Sequence, residues 1–197
     1  MLSLSILALL ALGLVCSAHP LEKRQSTSTV SFKLYAYGSG ISGLPIYYGN
    51  GTAQVADASV IDTTTLAAMI PIDFTASENT WTASPSSTTG STEDVTALSD
   101  NTNKLCLDQG NTSLNTVGFT GIAATDQSTT SPISNVWSTY GSYVLVSVSG
   151  ANFYARQTDN GLYSLLWSTS AETSTDIIPL VLRTTAPATA SVLTSRS

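Results

Sequence analysis

Charged side chains make up only 10% of this 197-residue sequence, histidine occurs once and cysteine twice. His19 and Cys16 both precede Gln25, and beyond them only Cys106 remains. That scarcity excludes an intramolecular disulfide, a Ser-His-Asp or Cys-His mechanism in cis, and a His/Cys zinc site in the rest of the chain. The five bases after Arg24 are scattered among twelve acids, a formal charge of −7. No basic stripe exists to displace counterions, so nucleic acid is not an expected partner. After Leu21 no apolar run is long enough to cross a bilayer, and the sequence closes on the polar Thr194-Ser195-Arg196-Ser197. Neither a transmembrane helix nor a lipid-anchor tail is expected, and nothing in the sequence points to a cofactor or a metal.

What is abundant is hydroxyl, because Ser and Thr together supply nearly a third of the chain, a composition that favours extended, β-rich, secreted chains over cytosolic enzymes. Hydrophobic residues still make up 42%, enough for a core. Leu2 to Val15 is an apolar run ahead of Cys16-Ser17-Ala18, small side chains of the kind a signal peptidase reads, and it is too short for a membrane anchor. His19-Pro20-Leu21-Glu22-Lys23-Arg24 follows, resembling the pro-segments that kexin-type proteases trim. The expected organisation is a signal peptide over 1–18 ending at Ala18, a pro-segment over 19–24 ending in Lys23-Arg24, and a flexible arm over 25–29. A single β domain over 30–185 and a flexible Ser/Thr-rich tail over 186–197 complete it.

No segment keeps apolar residues at helical spacing for three turns, whereas period-2 alternation recurs. Phe32, Leu34 and Ala36 oppose Lys33, Tyr35 and Tyr37. Val144, Val146 and Val148 oppose Tyr143, Ser147 and Ser149, and Ile178, Leu180 and Leu182 oppose Pro179 and Arg183. The proline suggests an edge strand or a bulge. Leu66 to Phe74 reads as extended, and Ser84 to Thr92 as a long exposed loop. Two Asn-Gly pairs each predict a hairpin with a two-residue turn. Asn50-Gly51 sets Gly49 opposite Thr52, Ile46 opposite Val55 and Tyr47 opposite Gln54. Asn160-Gly161 sets Tyr154 opposite Trp167, Arg156 opposite Leu165 and Thr158 opposite Tyr163, leaving Phe153, Ala155, Leu162 and Leu166 for the core. Strand-like segments at short intervals, parted by Gly, Asn, Ser and Thr, predict an all-β antiparallel β-sandwich, with a β-trefoil or closed β-barrel as the alternative.

The second hairpin supplies the candidate ligand site. Tyr154, Arg156, Tyr163 and Trp167 on one face would stack on a sugar ring and hydrogen-bond its hydroxyls, although core packing explains the same residues. Asn50 and Asn111 head N-glycosylation sequons. Cys106 alternates with Lys104 and Asp108, and reads as a small buried hydrophobe or as a thiol that links chains. No catalytic residue is expected. Glu78, Glu93 and Glu172 do not form a glycosidase pair in sequence, the neighbours Glu93 and Asp94 would face opposite ways on a strand, and Asp62-Thr63-Thr64 lacks the glycine of an aspartic-protease loop. The oxygen-rich Asp100 to Asp108 stretch lacks the spacing of a calcium loop.

The leader ending in Leu21-Glu22-Lys23-Arg24, Phe32 to Gly38, Gly43 to Gly49 and the Ser/Thr-rich body together resemble small secreted or cell-wall-associated proteins of filamentous fungi. The first functional expectation is a non-catalytic extracellular protein that adheres to a cell-wall polysaccharide or to another surface protein. A carboxylate-dependent glycoside hydrolase and a secreted effector or antigen that binds a host protein are the alternatives.

Overall fold

Alternating residues become strands because successive side chains on a pleated backbone face opposite sides, so an apolar set can be buried while its neighbours stay wet. The computed structural model describes residues 30–86, 98, 103–110, 112–120 and 131–188. Its elements are β1 (Ser31–Phe32), β2 (Tyr35–Gly38), β3 (Ile41–Gly49), β4 (Thr52–Ala56), α1 (Thr63–Ala67), β5 (Ile70–Ser77), β6 (Thr80–Pro85) and β7 (Leu105–Leu107), followed by β8 (Asn115–Phe119), β9 (Trp137–Tyr140), β10 (Tyr143–Val146), β11 (Asn152–Asp159), β12 (Leu162–Ser168) and β13 (Ile177–Arg183). The strands join in one sheet, and the pairings are antiparallel, as the alternation predicts. Six of them form a closed circuit of hydrogen-bonded neighbours: β2 to β3, β3 to β4, β4 to β12, β12 to β11, β11 to β13 and β13 back to β2. β5 joins at β3, and the β9–β10 hairpin joins β13 through Tyr143 opposite Arg183.

Of the inward residues predicted from alternation, Phe32, Val146, Val148 and Ile178 are half-buried against the main core, and Leu34, Ala36, Val144, Leu180 and Leu182 are buried within it. A run of rings crosses it, from Phe74 to Phe32, Trp81, Trp137 and Phe153, with successive centroids 5.1 to 6.0 Å apart. The three tryptophans are all buried. Trp137 also donates its indole N–H to the Leu105 carbonyl at 2.7 Å, which meets the demand of a buried donor for a partner.

The two Asn-Gly hairpins differ. Asn50 and Gly51 both take positive φ, 51° and 82°, as a type I′ turn requires, and the β3–β4 register is the predicted one. In the second hairpin Gly161 is positive at 73°, and Asn160 is not among the residues with positive φ. Asp159 still pairs with Leu162, but an extra residue, Thr158, interrupts the ladder between Gln157 and Asp159. The bulge moves every later pair by one, so Phe153, not Tyr154, lies opposite Trp167, Tyr154 opposite Leu166 and Arg156 opposite Ser164. A one-residue slip exchanges the two faces of a strand.

Three local expectations are also corrected. Leu66 to Phe74 divides between α1 and β5, because Asp62 caps the helix by accepting from the Thr64 and Thr65 amides at 2.9 Å; side-chain acceptors at this position satisfy the first helical N–H groups. Pro179 is not on an edge, since β13 lies between β2 and β11. The β2 pairing begins at Leu180 and the β11 pairing spans 177–180, so Pro179 sits just past the end of β2. Ser84 and Pro85 belong to β6 and Ser86 is buried, while the rest of that expected loop lies outside the described residues. Beyond β13, 186–188 continue over the sheet, with Pro187 against Gly43; the arm at 25–29 and residues 189–197 lie outside the described residues.

Candidate functional site

The residues predicted to share a ligand face do not share one. Trp167 turns to the main core, 5% exposed, and donates its indole N–H to the Asp108 carbonyl at 2.9 Å. Tyr163 packs against the same core. Tyr154 faces the other way and is buried with Leu166 and Ile177; its hydroxyl donates to the Ser170 carbonyl and accepts from the Glu172 amide, both at 3.2 Å. Arg156 alone is exposed, and it is paired to Asp176 at 3.2 Å. The Asp176 carboxyl is held below its ordinary pKa by the Ser174 hydroxyl and, to a smaller extent, by Arg156.

Exposed aromatic surface lies instead on β2, β13 and the β9–β10 hairpin. Alternation turns Tyr35 and Tyr37 of β2, Val181 and Arg183 of β13 and Tyr143 of β10 away from the core. Register then brings them together, with Val181 opposite Tyr37, and Arg183 opposite Tyr35 on one side and Tyr143 on the other. The Arg183 guanidinium carbon lies 4.8 Å from the Tyr143 ring centre and 5.4 Å from that of Tyr37, distances at which a cation is attracted by the π-face. Its Nε and Nη2 both donate to Ser142 Oγ, at 3.2 and 3.0 Å. Ser142 is presented by the Gly141-Ser142 turn, where Gly141 takes φ 60° so that Tyr140 pairs with Tyr143. Tyr140 is 77% exposed, and Tyr143, Leu145 and Val181 each close to half.

Beside Arg183 runs an open groove of about 590 Å³, walled on one side by Tyr37, Gly38, Ile41 and Ser42 and on the other by Thr185 to Ala188. Two glycines shape it. Gly38 lies so close to β13 that a Cβ would sit 2.6 Å from the Pro179 carbonyl oxygen. Gly43 is the extra residue that shifts the β2–β3 register between Ala36 and Tyr37. It takes φ 77°, and Pro187 occupies the space a side chain would need, 2.9 Å from an ideal Cβ. A glycine bulge of this kind bends its strand, and here it seats the segment that walls the groove. Tyr37 ties that segment down by donating its hydroxyl to the Thr185 carbonyl at 2.9 Å.

Other residues considered from the sequence lie apart from this face. Asn50 is exposed at its hairpin tip, sterically open to modification. Asn111, the acids at 93, 94 and 100, and the processing residues Ala18, Lys23 and Arg24 lie outside the described residues. Glu78 sits exposed in the β5–β6 turn with φ 52°, and Glu172 lies beside Tyr154. Among the described residues no three His, Cys, Asp or Glu side chains gather as a metal site, and no helix is long and apolar enough to cross a membrane. Cys106 is free and buried. Burial, then the nearby Asp108 carboxylate, pushes its thiol up to about 12.

The tyrosine–arginine face was missed because its members stand at 37, 143 and 183. The signal was present only as phase, since each falls on the polar side of its own strand. Comparison with known proteins gives no match to a protein-family model, to a curated protein or to a solved structure, so the chemistry of this face carries the functional reading.

Proposed function

We propose that this chain is a secreted, non-catalytic extracellular protein whose Tyr37–Arg183–Tyr143 face holds a carbohydrate of a cell wall or surface. One observation carries the reading: an arginine fixed between two tyrosine rings beside an open groove, with the exposed Tyr140 next in register to Tyr143. Aromatic faces stack on the apolar C–H side of a pyranose, while Arg and hydroxyl groups such as Ser42 and Thr185 supply polar contacts. Among the described residues the groove lining includes no Asp or Glu, so it lacks the pair of carboxylates that glycoside hydrolysis ordinarily uses.

Affinity electrophoresis through soluble β-glucan, chitosan and pectin, with pulldown on insoluble chitin, tests the reading. Retention by at least one polysaccharide is expected, weakened several-fold by Tyr143→Ala at an unchanged thermal midpoint. Failure of every polysaccharide to retain the protein, or retention indifferent to Tyr143→Ala, removes the proposal. Polysaccharide turnover lost on replacing one acid would favour the hydrolase alternative. Secretion and processing are tested by mass spectrometry of the secreted chain, which should begin at Gln25 and not at His19.

A further inference from the structure

We infer that the carbohydrate held on this face is an acidic one, a uronate-bearing polysaccharide whose carboxylate docks on the outer edge of the Arg183 guanidinium. The inference rests on the carbohydrate reading above and narrows its ligand class. Arg183 differs from the other fixed cations of the described residues in having no acid. Lys33 is paired with Asp73 at 2.7 Å and Arg156 with Asp176 at 3.2 Å, and no carboxylate among the described residues forms an ion pair with Arg183. Lys104 also lacks an ion pair among the described residues, but no ring contact or side-chain hydrogen bond holds its ammonium in place.

Arg183 is held without being neutralised. Ser142 Oγ takes Nε and one hydrogen of Nη2, a neutral acceptor that fixes the plane of the group. Both Nη1 hydrogens and the second Nη2 hydrogen have no acceptor among the described residues. One Nη1 hydrogen and that second Nη2 hydrogen form the Nη1–Nη2 fork, whose spacing matches the two oxygens of a carboxylate. The flanking rings of Tyr37 and Tyr143 limit the guanidinium's motion, so little side-chain entropy remains to be lost on binding. Tyr140, 77% exposed and opposite Tyr143 in register, adds open aromatic surface for the ring that carries the carboxylate. A uronic acid satisfies both features at once, because its carboxylate is attached directly to a pyranose; an acidic peptide satisfies only the fork.

Net charge opposes a polyanion, since the sequence carries −6. At physiological salt that repulsion is screened beyond about 8 Å, and among the described residues the groove lining contains no Asp or Glu. The local field at Arg183 therefore decides the encounter.

The test is affinity electrophoresis at fixed ionic strength through polygalacturonate, its fully methyl-esterified form and poly-glutamate, with a neutral β-glucan gel alongside. The full chain should bind polygalacturonate about tenfold or more tightly than the methyl ester, the worth of a charge-assisted hydrogen-bonded pair, and should be retained little by poly-glutamate. Arg183→Gln should abolish that preference, bringing retention by polygalacturonate down to that of the methyl ester measured on the same variant. Arg183→Lys, which keeps charge and stem, serves if glutamine disturbs the fold, and should lose most of the preference because an ammonium lacks the fork. Equal retention by the acid and its ester, or a preference that survives both substitutions, overturns the inference. Equal or stronger binding of poly-glutamate overturns it in favour of an acidic protein partner. Tyr143-dependent retention by the neutral glucan alone would leave the carbohydrate reading standing and this one refuted, whereas no retention by any polysaccharide refutes both.

Discussion

Tyr37 donates its hydroxyl hydrogen to the backbone carbonyl of Thr185 at 2.9 Å, across 148 positions of sequence, while its ring lies beside the Arg183 guanidinium. One side chain thus serves both the stacked face and the segment that walls the groove. Tyr37→Phe keeps the ring and removes the bond. Because the bond is solvent-accessible, the expected cost in global stability is below about 1 kcal/mol. Amide exchange at 185–188 should quicken relative to the core of β13, and unchanged exchange there would show that Pro187 and the Thr184–Ser142 backbone hydrogen bond hold the segment without Tyr37.

Trp167→Ala is expected to destabilise the fold by about 3 to 5 kcal/mol, the cost of emptying a core aromatic site. It also leaves the Asp108 carbonyl without its indole donor. Urea unfolding followed by far-ultraviolet circular dichroism measures this. Under conditions where the variant remains folded, its retention on polysaccharide should equal that of the parent, since the indole faces the core.

Gly51→Ala and Gly161→Ala form a matched pair. Both glycines take positive φ, 82° and 73°, so each alanine incurs a left-handed penalty of about 1 kcal/mol. Gly51 has open space around an added Cβ, whereas at Gly161 the Cβ would meet the Ile61 amide nitrogen and Val60 Cβ at 3.2 Å. Gly161→Ala should therefore be the more destabilising by chemical denaturation. Equal losses would mean that the segment after β4 yields freely to the added methyl.

The Cys106 thiol, pushed up to about 12 by burial and Asp108, gives a signed pH dependence. An unfolded cysteine ionises above about 8.5, while the folded one stays protonated until near 12. Between those values the folded state holds more protons than the unfolded state, so this group's contribution to stability, fully present below about pH 8.5, falls as pH rises. Denaturant midpoints at pH 7.5 and 10 should fall less in Cys106→Ala than in the parent. Iodoacetamide at pH 8.5 should label the folded chain only at the rate of global opening.

Where local chemistry settles conformation, the sequence was enough. The phases of β2, β10 and β13 follow from alternation, because a residue inverted on a pleated strand would expose an apolar side chain and bury a polar one. Asn50-Gly51 likewise fixed its own hairpin, both residues being able to adopt positive φ in a tip that touches little else. Asn160-Gly161 carries the same two side chains and forms a different loop. The Gly161 carbonyl accepts from the Asp57 amide at 2.8 Å, and the glycine is buried against the segment after β4, so contact from a distant strand accompanies a bulge at Thr158 that local preference does not specify. That bulge decided which face Trp167 would occupy, and strand order decided that residues 37, 143 and 183 would meet. Non-local pairing depends on the balance of burial across the whole sheet, which is why each strand disclosed its own inside and outside while the neighbours on its outer face became known only in the folded chain.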